Sequence, residues 1–166
     1  LRHLRVHDLE HQSPLRERIG AYWLFLGRPD LDGADHEVPW SASFISFMVN
    51  SAGAGTAFPY SAQHSQFVYR AINDRLTKKM TSFHGFRADE IDISPGDIIH
   101  MNRSSSAVLD YMWSSIHKDY PSHSDIAISV SDTTIQAIGG NVGTAPGQIA
   151  IKSFKKKGGV WTNGGQ

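Results

Sequence analysis

The first half of the chain repeats apolar side chains with the spacing of amphipathic α-helices. This period predicts three helices, over about residues 15–26, 41–52 and 61–76. Each predicted helix starts at or near a serine, a residue type that often caps a helix N-terminus, and the first two end at a glycine. We therefore expect the first half to be helical.

The second half changes to short runs with alternating apolar positions. Strands are predicted over 98–101, 126–130, 133–138 and 148–154, with a long excursion over 103–122. Helices followed by antiparallel strands predict an α+β domain, in which the N-terminal helices pack on a small antiparallel sheet.

Length and composition fit one domain over residues 1–166, with an N-terminal extension at 1–13 and a loose C-terminal tail at 158–166. The 16 Lys and Arg balance the 16 Asp and Glu, so we expect no nucleic-acid partner. No apolar run approaches the ~20 residues that a membrane span needs. Cysteine is absent, which excludes disulfides and thiolate metal sites.

The candidate chemistry begins at Ser41, which follows Pro39-Trp40 and opens an apolar run. A hydroxyl at a helix N-terminus lies where free backbone N–H groups favour developing negative charge. Later in the chain, His123 begins a strand and Asn141 follows two glycines. A nucleophile on an early helix, a histidine at a strand start and a polar residue on the next strand is the order of papain-like folds.

Four segments carry a resemblance to papain-like amidohydrolases of the CHAP and NlpC superfamily. They are PWSASFI at 39–45, PGDII at 95–99, HSDIAI at 123–128 and IGGN at 138–141. They resemble, in order, the family's P-W-C-A-A-F-V signature, its P-G-D turn and strand, its histidine strand and a G-G-N motif. More narrowly, the W-S-A form, FPYSAQH at 58–64 and RIGAYW at 18–23 resemble the bacterial domain-of-unknown-function family numbered 2272. The resemblance covers residues 16–154.

The resemblance implies a papain-like fold and a bacterial cell-wall hydrolase, an amidase or endopeptidase that cleaves peptide or amide bonds of peptidoglycan. In this reading Ser41 replaces the usual cysteine nucleophile, His123 takes its proton and Asn141 orients the imidazole. No cofactor is expected. A cell-wall substrate implies a periplasmic or secreted protein, and the sequence leaves open an effector, lysin or housekeeping role and an inhibitor or immunity partner.

Four further residues are candidates for binding substrate. Trp40 and Tyr60 could form an apolar wall or hydrogen-bond a substrate amide, His64 could line the cleft, and Asp125 could lie beside the site. Each also has a plainer interpretation, because aromatic residues at helix starts usually pack and a histidine near a helix start is often on the surface.

Several alternatives stay open at this point. Ser41 could be a helix N-cap, His123 a structural histidine and Asn141 a turn residue. The same scaffold could also be a catalytically inactive module that binds cell wall or peptide.

Two other patterns compete with the serine site. The spacing of His3, His7 and His11 would stack three imidazoles on one helix stripe, as in a zinc site. Lys152 and the lysines at 155–157 are typical of a solvated strand end that could touch an anionic polymer.

Overall fold

The residues that the structure describes contain four α-helices and one short 3-10 helix. The computed structural model describes residues 8–103, 110–143, 147–157 and 160–163. The helices are α1 (Leu15–Phe25), α2 (Ser41–Ser51), α3 (His64–Leu76) and the short α4 (Tyr111–Ser114), with a 3-10 turn at Gly55–Ala57.

Five strands form one antiparallel sheet, whose spatial order follows the order of the chain. They are β1 (Ile98–Asn102), β2 (Ser122–Val130), β3 (Thr134–Val142), β4 (Gln148–Lys157) and β5 (Val160–Asn163). The predicted α+β class, with helices and an antiparallel sheet, is confirmed.

The structure corrects three local predictions. Residues 160–163 pair with β4 as a fifth strand, so this part of the C-terminal tail is not loose. The excursion at 103–122 contains α4. The third helix begins at His64 and not at Ser61, because the Ser61 hydroxyl accepts a hydrogen bond from the backbone N–H of Gln63 in the turn before the helix. These differences arise because strand pairing and short turns depend on neighbours that apolar periodicity does not report.

The start of α2 lies directly on the sheet, and this contact places Ser41. Trp40, Phe44 and Ile45 are buried in the main core. A Cβ atom on Gly140 of β3 would lie 2.6 Å from the Trp40 ring and 2.9 Å from Phe44. Because real side-chain carbons do not approach so closely, only glycine lets the helix start come this near to β3.

A buried carboxylate holds the chain just before Ser41. Glu10 accepts a hydrogen bond from Trp40 Nε1 at 2.8 Å and contacts His36 Nδ1 at 3.2 Å. Burial alone would raise the pKa of Glu10, but these hydrogen bonds and one from the Gly147 backbone lower it overall. The residues before α1 therefore belong to the packed structure from at least Glu10 onwards.

None of the helices within the described ranges is long and apolar enough to span a membrane.

Candidate functional site

Ser41 and His64 form a buried pair at the starts of two helices. Ser41 is the first residue of α2, His64 is the first residue of α3, and Ser41 Oγ lies 2.7 Å from His64 Nε2. Only 6% of Ser41 and 5% of His64 is exposed to solvent. The N-cap position of α2 is Trp40 and Ser41 is the first helical residue, so the N-cap interpretation of Ser41 is wrong.

A second pair lies on β2. His123 Nε2 is 2.9 Å from Asp125 Oδ1, and both side chains are buried. Residues two apart on a strand point to the same face, which explains why His123 and Asp125 meet. Lys152 Nζ on β4 donates to both oxygens of Asp125, at 3.2 and 3.1 Å. Lys152 is therefore partly buried and paired with a buried carboxylate, which corrects its interpretation as a solvated residue.

The two pairs touch through their imidazole rings. The ring centroids of His64 and His123 are 5.2 Å apart, with one edge against the other ring. The Nδ1 atoms of both rings are buried and have no hydrogen-bond partner among the described residues. We call Ser41, His64, His123, Asp125 and Lys152 together the Ser–His–Asp cluster.

Gly139 makes room for this cluster. A Cβ atom at position 139 would overlap Asp125 Oδ1 and would lie 3.2 Å from His123 Nε2. The two glycines that precede Asn141 thus have separate steric roles, since Gly140 admits Trp40 and Gly139 admits the His123–Asp125 pair.

Two hydrogen bonds expected from the sequence are not formed. Ser41 Oγ bonds to His64 and not to His123, and no hydrogen bond joins Asn141 to His123 within the described ranges. Asn141 has a positive φ of 55°, and its Oδ1 lies beside Gly147, near the Glu10 carboxylate. Asn141 does not bond to His123 Nε2 because that atom already forms a hydrogen bond with Asp125 on the same strand. The sequence signal for the His123–Asp125 pair was the segment S-H-S-D at 122–125, which places the two residues two positions apart.

Of the two aromatic candidates, Trp40 is buried in the core and Tyr60 is partly buried against it. Trp40 is 2% exposed and donates to Glu10. The Tyr60 hydroxyl donates to the Gly55 carbonyl at 2.6 Å, and its ring contacts Phe25 and Phe58. The structure therefore gives both residues packing contacts.

The N-terminal histidine pattern receives no support from the described residues. His11 is exposed and its ring contacts His36, whereas His3 and His7 lie outside the described ranges. Among the residues that the structure describes, no group of three potential ligands could hold a metal ion.

Burial keeps two histidines neutral, His64 within the cluster and His100 beside it on β1. Desolvation by burial, followed by an electrostatic interaction with His123, lowers the pKa of His64 to about 2. On β1, His100 bonds to Ser124 Oγ and the Tyr120 hydroxyl at 3.0 Å each, and burial lowers its pKa to about 4. Burial would raise the pKa of Asp125, but its contacts with His123 and Lys152 lower it overall.

These lowered histidine pKa values predict loss of stability in mild acid. The unfolded chain binds a proton at each histidine near pH 6.5, whereas the folded chain does not until about pH 4 for His100 and about pH 2 for His64. Folding stability should therefore fall as pH drops below 6.5, by about 1.4 kcal/mol per pH unit for each histidine. Urea unfolding from pH 7 to pH 5 measures this slope.

The His64→Gln variant should show a shallower slope, because one of the two neutral buried imidazoles is gone. The exposed His11→Gln variant is the matched control and should keep the wild-type slope. An equal slope in His64→Gln and wild-type protein would contradict the assignment.

The comparisons with known proteins give one match. The family model described as "Uncharacterized protein conserved in bacteria (DUF2272)" matches residues 24–155, which contain the whole Ser–His–Asp cluster. No curated protein and no solved structure matches the chain. The narrower of the two resemblances in the sequence is thereby confirmed, and the chain belongs to the DUF2272 family, which is conserved in bacteria.

Proposed function

We propose that the protein is a hydrolase of peptide or amide bonds that uses Ser41 as its nucleophile. The observation that carries the proposal is the 2.7 Å contact between Ser41 Oγ and His64 Nε2 at the N-terminus of α2. A hydroxyl becomes a nucleophile when an adjacent neutral base takes its proton. His64 is neutral at physiological pH because burial lowers its pKa.

The first turn of α2 suits the anionic intermediate. The first backbone hydrogen bond into the helix is from Phe44 N to Trp40 O at 3.0 Å, so the N–H groups of residues 41–43 precede the helical ladder. Backbone N–H donors of this kind stabilise the oxyanion of acyl transfer, and one such donor contributes about 3 kcal/mol in other enzymes.

His123 is the proposed acceptor for a proton from His64, whose lowered pKa makes its protonated form unstable. When His64 Nε2 accepts from Ser41, its Nδ1 carries a hydrogen, and when His123 Nε2 donates to Asp125, its Nδ1 is an acceptor. The two unpartnered Nδ1 atoms are thus complementary, and their rings are in contact. No hydrogen bond joins the two Nδ1 atoms in this structure, so the two contacting rings must reorient before the Nδ1 proton of His64 passes to His123. Asp125 would then balance the charge on His123.

The substrate class follows from the motif resemblance. An early helix with the nucleophile, followed by an antiparallel sheet whose second strand carries a histidine at its second residue, is consistent with the papain-like arrangement of CHAP and NlpC domains. Membership of a bacterial family is also consistent with a bacterial polymer. We therefore propose peptidoglycan, cleaved at a peptide or amide bond, as the substrate.

Mass spectrometry of muropeptides after incubation with the protein tests this function. Hydrolysis should convert one fragment into two, whose summed mass exceeds the parent by one water. The product masses also identify the bond. Unchanged muropeptides, from both intact and pre-digested peptidoglycan, would contradict the proposal.

A second candidate is a binding module on the same scaffold, and burial favours it. Ser41, His64 and His123 are all at most 6% exposed. A cavity of about 630 Å³ lies elsewhere, between α3, residues 82–93 and β1, and none of these three residues lines it. If this candidate is correct, calorimetry will detect muropeptide binding without product, and His123→Ala will leave the affinity unchanged.

A further inference from the structure

Lys152 reaches across the sheet to a carboxylate two strands away. It lies on β4 opposite Ala137 of β3, and Asp125 lies on β2 beyond. The intervening positions on β3 carry the small residues Ala137 and Gly139, so the lysine side chain can extend over them. Its side chain is 21% exposed, whereas that of Asp125 is fully buried.

This contact determines how the charge of Asp125 is balanced. A buried carboxylate needs a cation or several hydrogen-bond donors. With Lys152 supplying the cation, His123 needs to donate only one hydrogen from Nε2 and can remain a neutral imidazole.

We infer that Lys152 is a positioning residue, which keeps His123 neutral and its Nδ1 free to accept a proton by supplying Asp125 with a permanent positive charge. The inference rests on the proposed function for its catalytic meaning. Its physical content, the protonation state of His123, can be measured without turnover.

The charged and titratable groups around His123 come from four elements. They are His64 on α3, His100 on β1, Asp125 on β2 and Lys152 on β4, and Arg103 after β1 also acts on His64. Of these, His64 and His100 are neutral near pH 7 because burial lowers their pKa values. The balance at His123 is therefore mainly between Asp125, which attracts a second proton, and Lys152, which repels it.

Removing the lysine charge should raise the pH at which His123 loses its second proton. A like charge within a few ångströms disfavours the charged form of a group, and removing it typically shifts such a titration by about one unit or more. We expect a rise of about one pH unit in Lys152→Met. The acid limb of kcat/KM should move up by the same amount, which lowers activity about tenfold well below the midpoint.

Nitrogen-15 NMR of the imidazole rings tests the inference directly. In the wild-type protein at pH 7, His123 should carry hydrogen on Nε2 and none on Nδ1. Its titration midpoint should rise in Lys152→Met and stay unchanged in Lys152→Arg, which keeps the charge. Lys155→Met, an exposed lysine on the same strand, is the matched control and should behave as wild type.

A hydrogen on Nδ1 of His123 in the wild-type protein would overturn the inference, as would an unchanged or lower midpoint in Lys152→Met. If Lys152→Met does not fold, Lys152→Gln keeps hydrogen-bond donors without the charge and should give the same rise. Measuring turnover separates the two proposals. If the His123 ring titrates as expected but no muropeptide is cleaved, the hydrolase is rejected and the role of Lys152 in the charge balance is kept.

Discussion

Replacing Ser41 with alanine should abolish muropeptide cleavage, with kcat lowered by roughly 10⁴-fold or more, because the nucleophile is removed. The fold should survive. The variant loses one buried hydrogen bond to His64, which corresponds to about 1 kcal/mol of unfolding free energy. Turnover from product mass spectra and stability from urea unfolding measure the two effects separately.

Ser43→Ala is the matched control for this experiment. Ser43 lies two residues further along α2, is fully buried, and its hydroxyl has no hydrogen-bond partner among the described residues. Removing an unsatisfied hydroxyl should leave both turnover and stability near wild type. Wild-type cleavage by Ser41→Ala would reject Ser41 as nucleophile, and equal losses in both variants would indicate a general effect on the helix.

Replacing Gly139 with alanine should destabilise the protein by about 3–5 kcal/mol, the typical cost of breaking a buried charge pair. The added Cβ would overlap Asp125 Oδ1 and press on His123 Nε2, and both of these side chains are buried. The His123–Asp125 hydrogen bond should be lost with it. Urea unfolding at pH 7 measures the free energy.

Gly20→Ala is the control for an added methyl group. Its Cβ would meet Asp32 Cβ at an ordinary 3.5 Å, and alanine favours the helix by about 1 kcal/mol relative to glycine. This variant should be as stable as wild type or slightly more so. The steric cause can be checked in an Asp125→Ala background, where Gly139→Ala should cost much less. An unfolding free energy of Gly139→Ala within about 1 kcal/mol of wild type would contradict the proposed steric role.

The sequence predicted well those elements whose formation depends only on an apolar face within a single segment of the chain. Helix α2 carries Phe44 and Ile45 on a single stripe, and its predicted and observed ranges differ by a single residue at the C-terminal end. The tail strand β5 was missed because residues 160–163 gain their structure from pairing with β4, and that partner is not encoded in the tail itself.

The candidate site was predicted only in part, and for a similar reason. Ser41, His123, Asp125 and His64 could all be named from motifs and their order along the chain. Which atoms bond to which could not, because the Ser41–His64 contact joins two helix starts and the Lys152–Asp125 contact crosses a strand.

By itself, the sequence determined the α+β class, the position of α2 and the family, since these depend on local periodicity and on short motifs. Only the tertiary structure decided that Ser41 pairs with His64, that Asp125 takes the place expected for Asn141, and that Lys152 forms an ion pair with Asp125. The physical reason is steric and electrostatic. Gly139 and Gly140 allow the His123–Asp125 pair and the start of α2 to pack closely against β3. The buried carboxylate of Asp125 needs a cation, and Lys152 on β4 has the side chain that reaches it.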